Sequence, residues 1–109
     1  MKNLITVLKF GMCVLFAAST VGCSSKKHGV HVIEIKQMQF QPAAITVPKH
    51  DTIIFVNHDM VLHNVAEQSK APWSSPSMKP GDTFRLVANE SCNYFCTLHL
   101  VMKGKIEVQ

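Results

Sequence analysis

The sequence predicts an all-β Greek-key sandwich of about seven to eight short strands, and three observations carry that expectation. Short runs rich in β-branched and aromatic residues recur from Val30 to the end of the chain, Pro, Gly and Asn separate them, and no stretch after the N-terminal leader sustains a helical period. At 109 residues the chain fits one domain with a modest core.

Residues 1–22 carry Lys2 and Lys9, an apolar run from Phe10 to Ala18, and small residues before Cys23. They read as an export signal, since the run is too short to cross a bilayer. Thr20-Val21-Gly22-Cys23 resembles a bacterial lipobox, with Thr20 where leucine is usual. The resemblance implies that Cys23 is lipidated, that residues 23–29 form a polar tether, and that residues 30–109 are the folded domain. The protein is then expected in the bacterial cell envelope, anchored to a membrane by lipid, with its domain in the periplasm.

The first strand is Val30-His31-Val32-Ile33-Glu34-Ile35-Lys36, which sets His31, Ile33 and Ile35 on one side. Met38 and Phe40 continue a period of two, Pro42 breaks it, and Ile45 and Val47 form a further short strand before Pro48. Asp51-Thr52-Ile53-Ile54-Phe55-Val56-Asn57 is the most apolar strand and belongs at the centre of a sheet. A loop follows, then Leu62-His63-Asn64-Val65-Ala66, then an irregular connection from Glu67 to Met78 containing Trp73, for which packing over the core is expected. Lys79-Pro80-Gly81-Asp82 has Pro and Gly where a type II turn wants them. Thr83 to Val87, Cys92 to Cys96 and Lys103 to Val108 are the remaining strands, and the sandwich is expected to be antiparallel.

Of eleven lysines and arginines, seven lie in residues 30–109, where seven acidic residues balance them. No basic face is clustered, which excludes a nucleic-acid-binding role. Of four cysteines, Cys13 leaves with the signal and Cys23 takes the lipid, so Cys92 and Cys96 remain. Four positions along a strand separate their Cα atoms by about 13 Å, too far for a disulfide.

In Cys96-Thr97-Leu98-His99-Leu100-Val101-Met102 a thiolate, an imidazole and a thioether fall three residues apart. That is the ligand set of a mononuclear electron-transfer copper site lacking one histidine. Of the six histidines His63 is the best candidate, because it follows an apolar strand that ends at the same end of the sandwich.

Leu62-His63-Asn64-Val65, Lys79-Pro80-Gly81-Asp82 and Tyr94-Phe95-Cys96-Thr97-Leu98-His99-Leu100-Val101-Met102 together resemble the cupredoxins, the plastocyanin and amicyanin family, over about residues 30–109. The two residues between His99 and Met102 are similar to amicyanin; plastocyanins and pseudoazurins usually carry four. The resemblance implies one copper ion per chain, with His63, Cys96 and His99 in a trigonal plane and Met102 as a weak axial ligand. It implies that Asn64 braces the ligand loop through hydrogen bonds. The family often has proline where this chain has Leu98 and Leu100, and many members have glycine where it has His50. If His50 needs positive φ, it is a mildly strained substitute.

The implied function is one-electron transfer, Cu(I)/Cu(II), between membrane-associated or periplasmic redox partners such as a cytochrome or dehydrogenase. A filled four-ligand site leaves no position for a substrate, so no enzyme activity is expected. Leu98, Leu100 and Val101 surround His99, and Met60 and Leu62 lie beside His63, so an apolar patch for a redox partner is expected at this end. The chain is expected to act as a monomer. Two alternatives remain open. One is a copper-binding or delivery protein, with His28, His31 and exposed Met60 and Met78 as labile sites. The other is a binuclear copper domain using both Cys92 and Cys96; the strand reading, which makes Cys92 a small core residue, carries it away from the metal and argues against this second alternative.

Overall fold

Eight strands form in chain order: β1 (Val30–Lys36), β2 (Gln39–Gln41), β3 (Ala44–Val47), β4 (Thr52–Asn57), β5 (Ala66–Glu67), β6 (Thr83–Val87), β7 (Cys92–Phe95) and β8 (Lys103–Val108). The structure is a computed structural model that describes residues 17–20, 22, 24–69 and 73–109. Most of the leader and Cys23 lie outside the described residues, so the expected lipidation site has no structural description. No helix forms among the described residues.

The strands make two four-stranded sheets in the orders β2-β1-β4-β6 and β3-β8-β7-β5. The all-β sandwich expected from the sequence is the architecture, but the sheets are mixed rather than purely antiparallel. β1 pairs with β4 in parallel, and β3 pairs with β8 in parallel. Between β1 and β4 the chain passes through β2 and then crosses to the other sheet as β3, so it returns to the first sheet running in its original direction. Side-chain alternation records which face is buried and is blind to strand direction, so the sequence could not separate these pairings from antiparallel ones.

β4 holds the central place expected of it, between β1 and β6, and buries Ile53, Phe55 and Asn57 at alternate positions. Ile33 and Ile35 of β1 point the same way, while Val30 and Val32 face solvent. The opposite sheet contributes Val47, Tyr94 and Ile106. Tyr94 is the hub, with ring centroids 4.8 Å from Phe40 and 5.3 Å from Phe55, both edge to face. The hydroxyl end of its ring lies over Gly104, its register partner on β8, where an added Cβ would clash with Tyr94 Cζ and the hydroxyl oxygen. Trp73 packs partly buried against the core and stacks on Phe84 with centroids 6.0 Å apart.

Two local expectations change. Met38 does not continue the apolar face: Gln37 and Met38 have φ of 54° and 58° and form the tight turn between β1 and β2, with Met38 exposed. Two successive left-handed residues are what a two-residue hairpin needs, and Gln-Met lacks the Asn-Gly signature that would have announced it. The described parts of the Glu67 to Met78 connection also pair with their neighbours, which its composition does not suggest. Its ends fold back as bridges His63↔Met78 and Ala66↔Ser74. The Lys79 to Asp82 turn forms as expected, with Gly81 at φ 86° and Asp82 N–H donating to Lys79 O at 2.9 Å.

Candidate metal centre

At one end of the sandwich β4 runs out into residues 58–65 and β7 runs out into residues 96–102. Cys96 stands one residue beyond the last residue of β7. Its N–H donates to Met102 O at 3.1 Å and the Met102 N–H donates to His99 O at 3.0 Å, so the backbone closes the loop on itself. His63 is gripped by a reciprocal pair: its N–H donates to Met78 O at 3.2 Å and Met78 N–H donates to its carbonyl at 2.7 Å. The buried Asn57 side chain donates to Val61 O and Met78 O, both at 2.9 Å, and ties these segments to the end of β4.

Three of the expected ligands converge. His63 Nδ1 lies 3.9 Å and His99 Nδ1 3.8 Å from Cys96 Sγ, and the donor atoms of all three stand within 4.8 Å of one another. The two imidazole rings meet with centroids 4.9 Å apart. His63 and Cys96 are fully buried, Met102 is buried in the core at the same end, and His99 is half-buried.

The donor chemistry and spacing fit a bound copper ion. Metal bonds of about 2.0 Å to nitrogen and 2.3 Å to sulfur, opened to a trigonal angle, set nitrogen and sulfur about 3.8 Å apart. The tautomer of His63 is fixed as well. Its Nε2 sits 2.8 Å from Asp59 Oδ2, and an ionised carboxylate only accepts, so Nε2 carries the proton and Nδ1 turns its lone pair toward Cys96. Burial opposes ionisation of Asp59, but donation from Met38 N–H, His63 and Gln37 N–H outweighs it and lowers its pKa.

Asn64 faces the other side of the loop. Its Oδ1 accepts from Thr97 N–H at 2.7 Å and its Nδ2 donates to Thr97 Oγ1 at 2.8 Å. Its backbone N–H points at Cys96 Sγ from 3.5 Å. Sequence reasoning missed two contributors, Asp59 and Thr97. An acid four residues before a candidate histidine was the available signal for Asp59. Thr97 carried none, because its role depends on Asn64 arriving from the opposite sheet connection.

The other expected residues divide. Leu98, Leu100, Leu62 and Val61 are exposed, and Met60 and Val101 are each 87% exposed, so the end around His99 presents apolar side chains to solvent. Met78, expected exposed as a labile site, is instead buried, because its bridge to His63 turns it into the core. Cys92 is a free thiol at the far end of β7, paired in register with Ile106, away from Cys96. It lines a cleft of about 440 Å³ with Glu67, Trp73 and Leu86. Burial, aided by the Glu67 charge, pushes its thiol up to about 11, so it stays protonated at neutral pH.

Comparison with known proteins agrees with this geometry. Residues 27–109 match the profile of the copper binding proteins of the plastocyanin/azurin family. Amicyanin of Paracoccus denitrificans is 29% identical over 100 residues, spanning 86% of this chain and 72% of that protein. A solved copper(I) form of an amicyanin variant superposes with a TM-score of 0.69 at 27% identity, covering 78% of this chain and 87% of that one. A copper-containing nitrite reductase from Thermus scotoductus superposes with a TM-score of 0.68 at 22% identity over 77% of this chain and 23% of that one, a likeness of fold alone.

Proposed function

Because the chain belongs to the copper binding proteins of the plastocyanin/azurin family, we propose that it is an electron carrier in which His63, Cys96 and His99, together with Met102, would hold a single copper ion. The observation that carries the reading is the convergence of two imidazoles and one thiol at the end of the sandwich, with His63 and Cys96 buried and His99 half-buried. Bound copper supplies the one-electron couple, Cu(I)/Cu(II); the chain supplies everything else. Asp59 holds His63 in one tautomer, the Asn64 to Thr97 pair fastens the Cys96 loop, and the Met78 bridge fastens the segment opposite. Donors fixed from both sides cannot relax much toward the geometry either oxidation state prefers, which keeps the reorganisation accompanying electron transfer small. Burial of His63, Cys96 and Met102 excludes water from the centre.

Half-buried His99 is the exit for the electron, and Phe95, beside Cys96, is a second route. The redox partner, a protein such as a cytochrome or dehydrogenase, docks transiently on Leu98, Leu100, Val101, Met60 and Leu62, a contact without long-lived association. The protein acts as a monomer, exported to the bacterial cell envelope and anchored through lipid on Cys23, its domain on the periplasmic side. Replacing Leu100, 65% exposed, with aspartate is expected to slow electron transfer to the partner about tenfold or more by placing a charge in the contact while leaving the copper spectrum intact. Stopped-flow kinetics with the partner check this; an unchanged rate refutes the docking face.

A further inference from the structure

A second group of chemistry-bearing side chains lies at the opposite end of the sandwich. β4 starts there and runs to Asn57 beside the metal centre, so the two ends are about 20 Å apart. Asp51, just before β4, is buried; its Oδ1 accepts from Gly29 N–H at 2.9 Å and its Oδ2 accepts from His31 Nε2 at 2.8 Å. His28 Nδ1 stands 3.8 Å from Asp51 Oδ1, beyond a hydrogen bond. The His28 and His50 rings meet edge to face with centroids 5.9 Å apart. His31, which the copper-delivery alternative takes as a labile site, is half-buried and hydrogen-bonded to Asp51.

The chain commits resources to this arrangement. His50 has φ 72°, a left-handed conformation that glycine takes more readily, yet it carries an imidazole there. The turn is fixed by His50 N–H donating to Ala88 O and Ala88 N–H donating to Asp51 O, both at 2.8 Å. His50 Nδ1 lies 3.0 Å from Asn89 Oδ1, an acceptor, so Nδ1 holds the proton and Nε2 keeps its lone pair. Gly29 permits the close approach: a Cβ there would lie 2.8 Å from Asp51 Oδ2 and 3.5 Å from His31 Nε2. The hydrogen bond from His31, then that from Gly29, hold Asp51 below the ordinary carboxylate range against the effect of burial, so it is an anion.

We propose that His28, His50 and Asp51 form a second metal site for a divalent ion of the zinc or copper(II) class, with His31 positioning the carboxylate. Imidazole and carboxylate are the donors these ions take, and three protein ligands with a solvent-facing position make an open site. The outward hydrogen bond from His31 to the ligating carboxylate is the support such sites use. Among the described residues only His63, Cys96 and His99 already stand with their donors within 4.8 Å; the second set is more open, and the His28 side chain, 48% exposed, is free to turn toward Asp51. A bound ion ties residues 28–29, where the chain enters β1, to the turns flanking β4 and β6.

The test is zinc(II) titrated into the copper-loaded full chain, followed by calorimetry and by metal analysis after gel filtration. One zinc per chain beyond the copper is expected, and His28→Ala and His50→Ala, both at exposed positions, should each weaken it about tenfold or more. His58→Ala, at an exposed histidine 3.6 Å from Glu34, should leave it unchanged. No zinc taken up, or zinc uptake that survives the His28→Ala/His50→Ala double variant, overturns the proposal. The copper spectrum reports the other end of the molecule throughout, so failure here is distinguishable from failure of the electron-transfer reading.

Discussion

Gly104→Ala is expected to destabilise the domain by about 3 kcal/mol, at the upper end of what overpacking a core costs. The added methyl would meet Tyr94 Cζ at 2.1 Å, its hydroxyl oxygen at 2.2 Å and Cε2 at 2.5 Å. Relief cannot come from swinging the ring away, because Phe40 and Phe55 press its other faces edge-on and the whole side chain is buried. Either the ring shifts into those phenylalanines or β7 and β8 separate where their ladder holds Cys96 in place. For a domain of this size a loss of about 3 kcal/mol lowers the melting midpoint by about 12 to 24 °C, read by thermal circular dichroism. Tyr94→Phe is the complementary control. Among the described residues the buried Tyr94 hydroxyl has no hydrogen-bond partner, so removing it should cost nothing and stabilise by up to about 1 kcal/mol. A Gly104→Ala midpoint equal to that of the parent would contradict the packing described.

Asp59→Ala is expected to weaken copper binding by about 10- to 100-fold, the usual consequence of removing the carboxylate that orients a ligating histidine. His63 is fully buried, and among the described residues its Nε2 proton is accepted by Asp59 Oδ2 alone. Without the carboxylate the ring is free to place its proton on Nδ1, the atom aimed at Cys96, and ligation must then displace that proton. The orphaned N–H costs a further 1 to 3 kcal/mol or about that in the metal-free protein. Asp59→Asn keeps an oxygen acceptor for Nε2 and should fall between the parent and the alanine variant. Competition with a copper chelator reads the affinity, and an affinity unchanged in Asp59→Ala would show that Asp59 does not orient His63.

Much of this was legible in the chain because the informative residues are close in sequence. Cys96, His99 and Met102 share one loop, so their spacing alone suggests a common point, and the continuous apolar run Ile53 to Val56 marks the central strand that delivers His63 to the same end. The Pro80-Gly81 pair fixes its turn locally in the same way. What escaped depends on contacts made across the sandwich. The parallel pairings follow from a crossover that no local pattern encodes. The Gln37-Met38 turn adopts left-handed backbone without glycine or asparagine, and its two N–H groups are held from a distance by Asp59, at 2.7 Å and 3.0 Å. The same carboxylate orients His63, so one residue with an unremarkable local sequence fastens both a hairpin and the candidate metal centre. His31 and Asp51 likewise meet only because β1 and β4 run side by side in parallel, which the sequence did not reveal.

The most direct test of the proposed site is the absorption spectrum of the copper-loaded chain beside those of its two cysteine variants. A mononuclear copper bound to the Cys96 thiolate predicts a strong band near about 600 nm, one copper per chain, and a band lost in Cys96→Ser but retained in Cys92→Ser. A band that survives Cys96→Ser, or two coppers per chain with a spectrum that collapses in Cys92→Ser, would contradict it.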